Sequence, residues 1–180
     1  MDPLARFGRF AGLGALVLAA GCASMNVNSY VERGYDLSRF HTYAWSPAPA
    51  AATGDPRLDS NPFFDEQLRA EVEMQMAMRG FERTARPPDL LVHYHANMTQ
   101  RIETRDLDGQ YGSCEQGNCR AEVYDAGTIL IDLVDPGTQK VIWRGWAEGA
   151  MEGVVDNQAW LEAKITQAVT RIFERLPRPL

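Results

Sequence analysis

The stretch that decides the fold is YDAGTILIDLVDPGTQKVIWRGWA at residues 124–147. Its first half alternates apolar side chains at Ile129, Ile131 and Leu133 with residues that point the other way, a pattern typical of a β-strand. The residues DPGT at 135–138 suit a tight turn. The remaining residues are again aromatic and β-branched and return as a partner strand. The stretch therefore predicts an antiparallel hairpin.

Two helices are expected on either side of this hairpin. The first opens with Asn61-Pro62, a capping residue followed by a proline at the first helical position, and ends at Gly80. The second runs from about residue 157 to residue 176, where prolines end it. Each carries an apolar stripe at helical spacing: Phe64, Leu68, Val72 and Met76 in the first, and Leu161, Ile165, Ala168, Val169, Ile172 and Phe173 in the second.

Three more strands are predicted outside the hairpin. FHTYAW at 40–45 and DLLVHYHANM at 89–98 have β-strand composition, and residues 24–32 alternate in a way that suits a strand or an extended tether. The order is strand, strand, helix, three strands, helix. We predict an α+β fold in two layers, in which an antiparallel sheet is packed by two helices in the order β-β-α-β-β-β-α.

The chain begins with the features of a secretory signal. Arg6 and Arg9 precede an apolar run over residues 10–20, which is shorter than the roughly 20 apolar residues of a membrane-spanning helix. Small residues then lead into Cys22. This arrangement resembles a bacterial lipobox, although Leu18 lies one position earlier than is usual. The resemblance implies cleavage before Cys22 and acylation of that cysteine, whereas the alternative is a plain cleavage site.

The expected organisation follows from this anchor. Residues 1–21 form the signal peptide, 22–38 the anchor with a tether or first strand, and 39–180 a single domain. Two or three acyl chains would hold the protein at a membrane without crossing it. Resemblance to lipoproteins implies sorting by the next residues, and Ala23 and Ser24 lack the aspartate that favours inner-membrane retention. We expect the inner leaflet of the bacterial outer membrane, with the domain facing the periplasm.

The net charge and the cysteines indicate which partners and which covalent links to expect. The formal net charge is −6, and an acidic chain lacks the basic stripe that nucleic acid requires, so no nucleic-acid partner is expected. The two other cysteines, Cys114 and Cys119, lie close together in a polar, glycine-rich stretch. In an oxidising compartment such a pair predicts a disulfide rather than a metal clip.

Two histidines and two tryptophans are candidates for a binding surface. His93 and His95 share one face of their strand because they are two residues apart. Trp143 and Trp146 point to opposite faces, so one is expected to fill the core. The other, together with Tyr94, would form an exposed aromatic patch for a ligand or partner.

Metal binding and catalysis are the alternatives. His93 and His95 could start a tetrahedral metal site that Cys114 and Cys119 complete, but we expect neither metal nor cofactor. A hydrolase needs a nucleophile with a base and an orienting group. Ser113 lacks the glycines of a nucleophile elbow, and Asp132 suits a structural role. We therefore expect a protein that is not an enzyme, with a periplasmic hydrolase as the weakest alternative.

Six short motifs together resemble a known family. They are FHTYAW at 40–45, GDPR at 54–57, RGF at 79–81, DLLVHYH at 89–95, GTILIDLVD at 127–135 and VIWRG at 141–145. In this order they resemble the DUF4136 family of bacterial lipoproteins over about residues 24–176. The resemblance implies the fold and the envelope location, and it supplies no catalytic residue.

The expected function is therefore non-enzymatic binding or scaffolding in the envelope. The candidate partners are another envelope protein, peptidoglycan, or a lipidic molecule held between sheet and helices. The main alternative is a metal-binding lipoprotein that uses His93 and His95.

Overall fold

The computed structural model describes residues 25–103 and 122–177. The strands are β1 (Asn26–Val31), β2 (Thr42–Trp45), β3 (Glu82–Arg83), β4 (Leu90–Glu103), β5 (Glu122–Asp135) and β6 (Lys140–Ala150). The helices are α1 (Pro56–Asp59), α2 (Pro62–Ala77) and α3 (Gln158–Phe173), and a single 3₁₀ turn covers Leu37–Arg39. The α+β prediction is confirmed, with α1 and β3 as short additions.

The six strands form one open sheet in the order β1-β6-β5-β4-β2-β3. The pairs β1–β6, β6–β5 and β5–β4 are antiparallel, whereas β2 runs parallel to both β4 and β3. The predicted antiparallel sheet is thus mostly antiparallel, with a parallel edge at β2 and β3. The reason is that α2 connects β2 to β4 as a crossover, and a strand that follows a crossover helix returns parallel to the first.

Local sequence sets the ends of both long helices. The Asn61 side chain accepts a hydrogen bond from the Phe63 N–H at the start of α2, and Asn157 caps α3 through the Trp160 N–H. Gly80 follows α2 with φ +83°, a conformation that glycine adopts without strain. Both predicted apolar stripes are buried in full, so both helices cover the sheet with the expected faces.

A β-bulge in the β5–β6 hairpin determines which side chains of β6 pack beneath α3. Val134 pairs with Val141 but Leu133 pairs with Trp143, so β6 carries one extra residue, Ile142. Such a bulge lets neighbouring side chains turn to the same side, and both Ile142 and Trp143 are fully buried. At the next core position, a Cβ on Gly145 would lie only 2.5 Å from the Trp143 ring and 2.6 Å from Ile172. Glycine there lets α3 approach β6.

The motif GDPR at 54–57 ties two loops together at one end of the sheet. Asp55 caps α1 by accepting from the Arg57 N–H, at 2.9 Å. The Arg57 guanidinium binds Asp55 at 2.6 Å and Asp156 at 2.9 Å. The motif therefore has a structural role. Within the described ranges, no helix has the length and apolar character to cross a membrane.

Candidate functional site

The sheet has one face that neither α2 nor α3 covers. Side chains alternate along each strand, and residues such as Ile131 and Trp143 lie on the side of the helices. The opposite side we call the helix-free face. The strand register brings together six of its residues in two rows, the first formed by His93, Asp132 and Arg144 and the second by His95, Leu130 and Trp146.

A charged pair lies at the centre of the helix-free face. Asp132 is only 3% exposed, and Arg144 binds it through two parallel contacts, Nε to Oδ1 at 2.6 Å and Nη2 to Oδ2 at 2.7 Å. Such bidentate pairs are among the strongest charge-assisted hydrogen bonds. The hydrogen bonds to Asp132 raise the pKa of Arg144. The pair fixes Arg144 in one orientation, in the same row as His93.

The two histidines bind each other. His93 Nδ1 and His95 Nε2 lie 3.0 Å apart, and one ring N–H donates to the other ring's lone pair. The rings meet edge to face, with their centres 4.5 Å apart. Burial and the nearby His95 lower the pKa of His93, while Asp132 acts in the opposite direction. His93 Nε2 is buried and has no hydrogen-bond partner within the described part of the chain.

The tryptophans lie on opposite faces, as the three-residue spacing indicates. Trp143 is fully buried and packs near Phe173, with ring centres 5.7 Å apart. Trp146 is partly exposed on the helix-free face, on the other side of β5 from His95. Of the predicted aromatic patch, only Trp146 therefore lies with the histidines.

The placement of Tyr94 in that patch is wrong. Tyr94 is one residue from His93, so its side chain points to the helix side, where it is only 5% exposed. Its hydroxyl donates a hydrogen bond to Asp65 of α2, and burial together with that bond raises its pKa. Arg69 packs over the rings of both Tyr94 and Trp45. Tyr94 helps to hold α2 on the sheet.

A cavity and a wider cleft lie on the helix side of the sheet. An apolar cavity between the sheet and α3, lined by residues such as Ala96, Ala147 and Ile165, has a volume of about 30 Å³. Ligand pockets usually have volumes of about 300–1,000 Å³, so this cavity is too small for a lipidic molecule. A wider cleft of about 510 Å³ lies between residues 50–53 and the start of α2. Its polar groups already make structural bonds, such as that from the Thr53 N–H to Asp59 at 2.6 Å.

Several candidates from the sequence lie outside the described residues. These are Cys22, Cys114, Cys119 and Ser113. Among the residues that are described, no group of three or more His, Cys, Asp or Glu side chains is placed to hold a metal ion. Sequence reasoning missed the Asp132–Arg144 pair. Both residues were visible on predicted strands, but only the register of the hairpin places them opposite each other.

Comparison with solved structures supports the fold. A DUF4136 family protein from Bacteroides thetaiotaomicron matches with a TM-score of 0.53 at 13% identity, over 86% of this chain and 97% of that one. A PDZ domain protein from Parabacteroides distasonis matches with a TM-score of 0.56 at 15% identity, over 85% of this chain. This chain spans only 36% of the length of that PDZ domain protein. At these identities the likeness concerns the fold alone.

Comparison at the level of sequence assigns the family. No curated protein matches the chain. The family model described as a domain of unknown function, DUF4136, matches residues 27–178, which include every described strand and helix except the first residue of β1. The chain belongs to the DUF4136 family.

Proposed function

We propose that this protein is a lipid-anchored lipoprotein of the bacterial cell envelope. Its acylated Cys22 would hold it in the inner leaflet of the outer membrane, and the domain would face the periplasm. The signal-like residues 1–21 and the small residues before Cys22 support this proposal. So does the position of β1, which begins only four residues after Cys22, so the folded domain lies next to the anchor.

We propose that the domain binds an envelope protein through the helix-free face and is not an enzyme. The observation that carries this is the row of His95, Leu130 and Trp146 next to the fixed Asp132–Arg144 pair. Tryptophan and arginine are enriched at the centres of protein interfaces, where one large side chain supplies much of the binding energy. Strands also present these side chains on a rigid surface. A lipidic ligand is less well supported, because the cavity beneath α3 is small.

Cross-linking in cells tests the binding surface. A tagged full-length chain is cross-linked in intact cells, and the envelope protein captured by it is identified. We expect the Trp146→Ala variant to capture only a small part of the envelope protein that the parent chain captures, because the largest apolar side chain of the surface is removed. The matched control is Met78→Ala, which removes an apolar side chain that is 64% exposed on the helix layer.

The outcome is judged on variants that keep the circular dichroism spectrum of the parent chain. Equal capture by the Trp146→Ala variant and the parent would overturn the proposal. Co-sedimentation with purified peptidoglycan that depends on Trp146, without a captured protein, would assign the surface to peptidoglycan instead.

A second candidate function is the binding of a transition-metal ion by His93 and His95. The specific observation is the 3.0 Å separation of His93 Nδ1 and His95 Nε2. Once the proton between them moves to the other nitrogen of its own ring, both lone pairs can face one ion. Imidazole nitrogen is a common ligand for zinc and copper. With two protein ligands in the described ranges, water would complete the coordination, and the affinity would be modest.

Calorimetric titration with zinc or copper tests this second candidate. The folded chain, freed of metal by a chelator and dialysed, is expected to bind one ion at pH 7.5. Binding should disappear in the His95→Ala variant, because a single imidazole cannot chelate. His41→Ala is the matched control, since His41 lies in the chain segment before β2 and away from the pair. Binding that survives in the His95→Ala variant would refute a site at this pair.

A further inference from the structure

The end of the domain that carries the anchor can be located from β1. Met25 lies immediately before β1, and Cys22 is three residues earlier. An extended chain spans at most about 3.6 Å per residue, so Cys22 lies within roughly 11 Å of Met25. Whatever else lies around Met25 is thus held close to the anchored residue. The inference below rests on the proposed acylation of Cys22.

The residues around Met25 include Gly149 of β6 and Lys164 of α3. A Cβ added to Gly149 would lie 3.8 Å from the Met25 methyl carbon and 3.6 Å from the Lys164 Nζ. Met25 and Lys164 therefore meet over Gly149. Trp160 precedes Lys164 by four residues in α3, so the two side chains are neighbours on one face of the helix. The end of the domain next to the anchor thus combines an aromatic and a basic side chain.

Trp160 is unusually exposed for a tryptophan. Its side chain is 59% exposed, and its ring lies over the backbone at Gly153, where a Cβ would be 3.4 Å away. The paired strands β4 and β5 continue at the same end of the sheet beyond the Met98–Gly127 pair. There Ile102 and Val123 lie directly opposite each other and are 59% and 55% exposed. Several large apolar side chains are therefore exposed near the anchor.

This combination of side chains fits the surface of a lipid bilayer. Tryptophan prefers the boundary between headgroups and acyl chains because its ring is apolar and its N–H is polar. Lysine can bury its methylene stem there while its ammonium group stays among the headgroups. A protein partner would not need to lie at the anchored end, whereas the bilayer must.

We propose that Trp160 and Lys164, with Met25 beside them, contact the bilayer in which Cys22 is anchored. Trp160 enters the headgroup region, and Lys164 lies next to the phosphates. The contact fixes the tilt of the domain, so that the sheet stands upright on the membrane and the helix-free face is directed sideways into the periplasm. The anchor and the tryptophan then act as two separate points of attachment.

Fluorescence quenching by brominated lipid tests this contact. The lipidated full-length chain is reconstituted into vesicles of phosphatidylethanolamine and phosphatidylglycerol, with and without phosphatidylcholine brominated near the headgroup. The chain has four tryptophans, and we expect the brominated lipid to quench mainly Trp160. The Trp160→Phe variant should lose most of the quenching. Trp146→Phe, which alters the partly exposed tryptophan on the opposite face of the sheet, should retain it.

The outcomes separate the two proposals. Vesicle-bound protein whose quenching is unchanged by Trp160→Phe, or is lost only with Trp146→Phe, would overturn the proposed contact and leave the anchor intact. A wild-type chain that is acylated and vesicle-bound but not quenched would also overturn it. A chain with no fatty adduct and no vesicle binding would refute the anchor and this contact together.

Discussion

The Cys22→Ala variant is expected to leave the membrane and appear in the soluble periplasmic fraction. Acyl chains contribute about 0.8 kcal/mol for each buried CH₂ group, and two chains together give a stable attachment. The contact through Trp160 alone is too small to replace them. Fractionation of cells that express the variant, followed by immunoblotting, measures the change. Because the acyl chains are proposed to be on Cys22, its replacement should shift nearly all of the protein from the membrane fraction to the soluble fraction.

A second cysteine variant controls for loss of a thiol as such. Cys119→Ala removes the same side chain elsewhere in the sequence, and it should stay in the membrane fraction like the parent. Should the Cys22→Ala variant remain in the pellet through a high-salt wash, the lipid anchor would be refuted and another mode of attachment would be needed.

The Arg144→Met variant is expected to lose about 3 kcal/mol of its free energy of unfolding, because it leaves the buried Asp132 carboxylate without its counter-charge. Asp132 is 3% exposed, whereas the Arg144 side chain is 40% exposed, so water would replace the lost partner only in part. A typical domain is stable by only about 5–15 kcal/mol, so the effect should be plain in urea unfolding. The measurement uses the mature chain at neutral pH.

The helix-free face offers a matched control. Arg101 and Glu148 form a second ion pair with N–O distance 2.7 Å, but their side chains are 51% and 30% exposed. Exposed pairs contribute at most about 1 kcal/mol, so Arg101→Met should be nearly neutral. Combining Arg144→Met with Asp132→Leu should recover most of the loss, since both charges are then removed. Equal losses for Arg144→Met and Arg101→Met would show that Asp132 is not effectively buried.

The helices were predictable because their determinants are local. The stripe from Leu161 to Phe173 repeats at the helical period, and the Asn157 and Asn61 caps lie just ahead of each helix. Each of these signals lies within a few residues of the structure it sets. The burial of the stripe then follows without any knowledge of the sheet.

The central pair of the candidate site was not predictable because it depends on one extra residue. Counting back from the turn, Asp135 pairs with Lys140 and Val134 with Val141, which would place Asp132 opposite Trp143. The bulge at Ile142 shifts the register by one, so Asp132 faces Arg144 instead. No local signal in the sequence marks this bulge.

The parallel edge and the position of Tyr94 do have signals in the sequence. A strand, a helix and a further strand between residues 42 and 103 form a crossover, which favours parallel pairing of β2 and β4. Likewise, alternation alone places Tyr94 opposite to both histidines. The residue that pairs with His93 across the sheet could not be predicted, because the register of β4 and β5 is not fixed by a short turn.

The residues of the helix-free face and the location of the anchor together indicate how the domain would bind a partner at the membrane. Attachment at Cys22 and at Trp160 would leave the row of His95, Leu130 and Trp146 directed sideways into the periplasm. A partner in the periplasm could then reach that row while the protein stays in place. Loss of the anchor would lower the local concentration of the binding surface at the membrane and leave the surface itself unchanged.

Intact-mass measurement of the protein purified from its native membrane shows whether Cys22 is the first residue and is acylated. We expect a chain that begins at Cys22 and carries the added mass of fatty acyl groups on that residue. A chain that begins at any other residue, or one that begins at Cys22 without a fatty adduct, would contradict it.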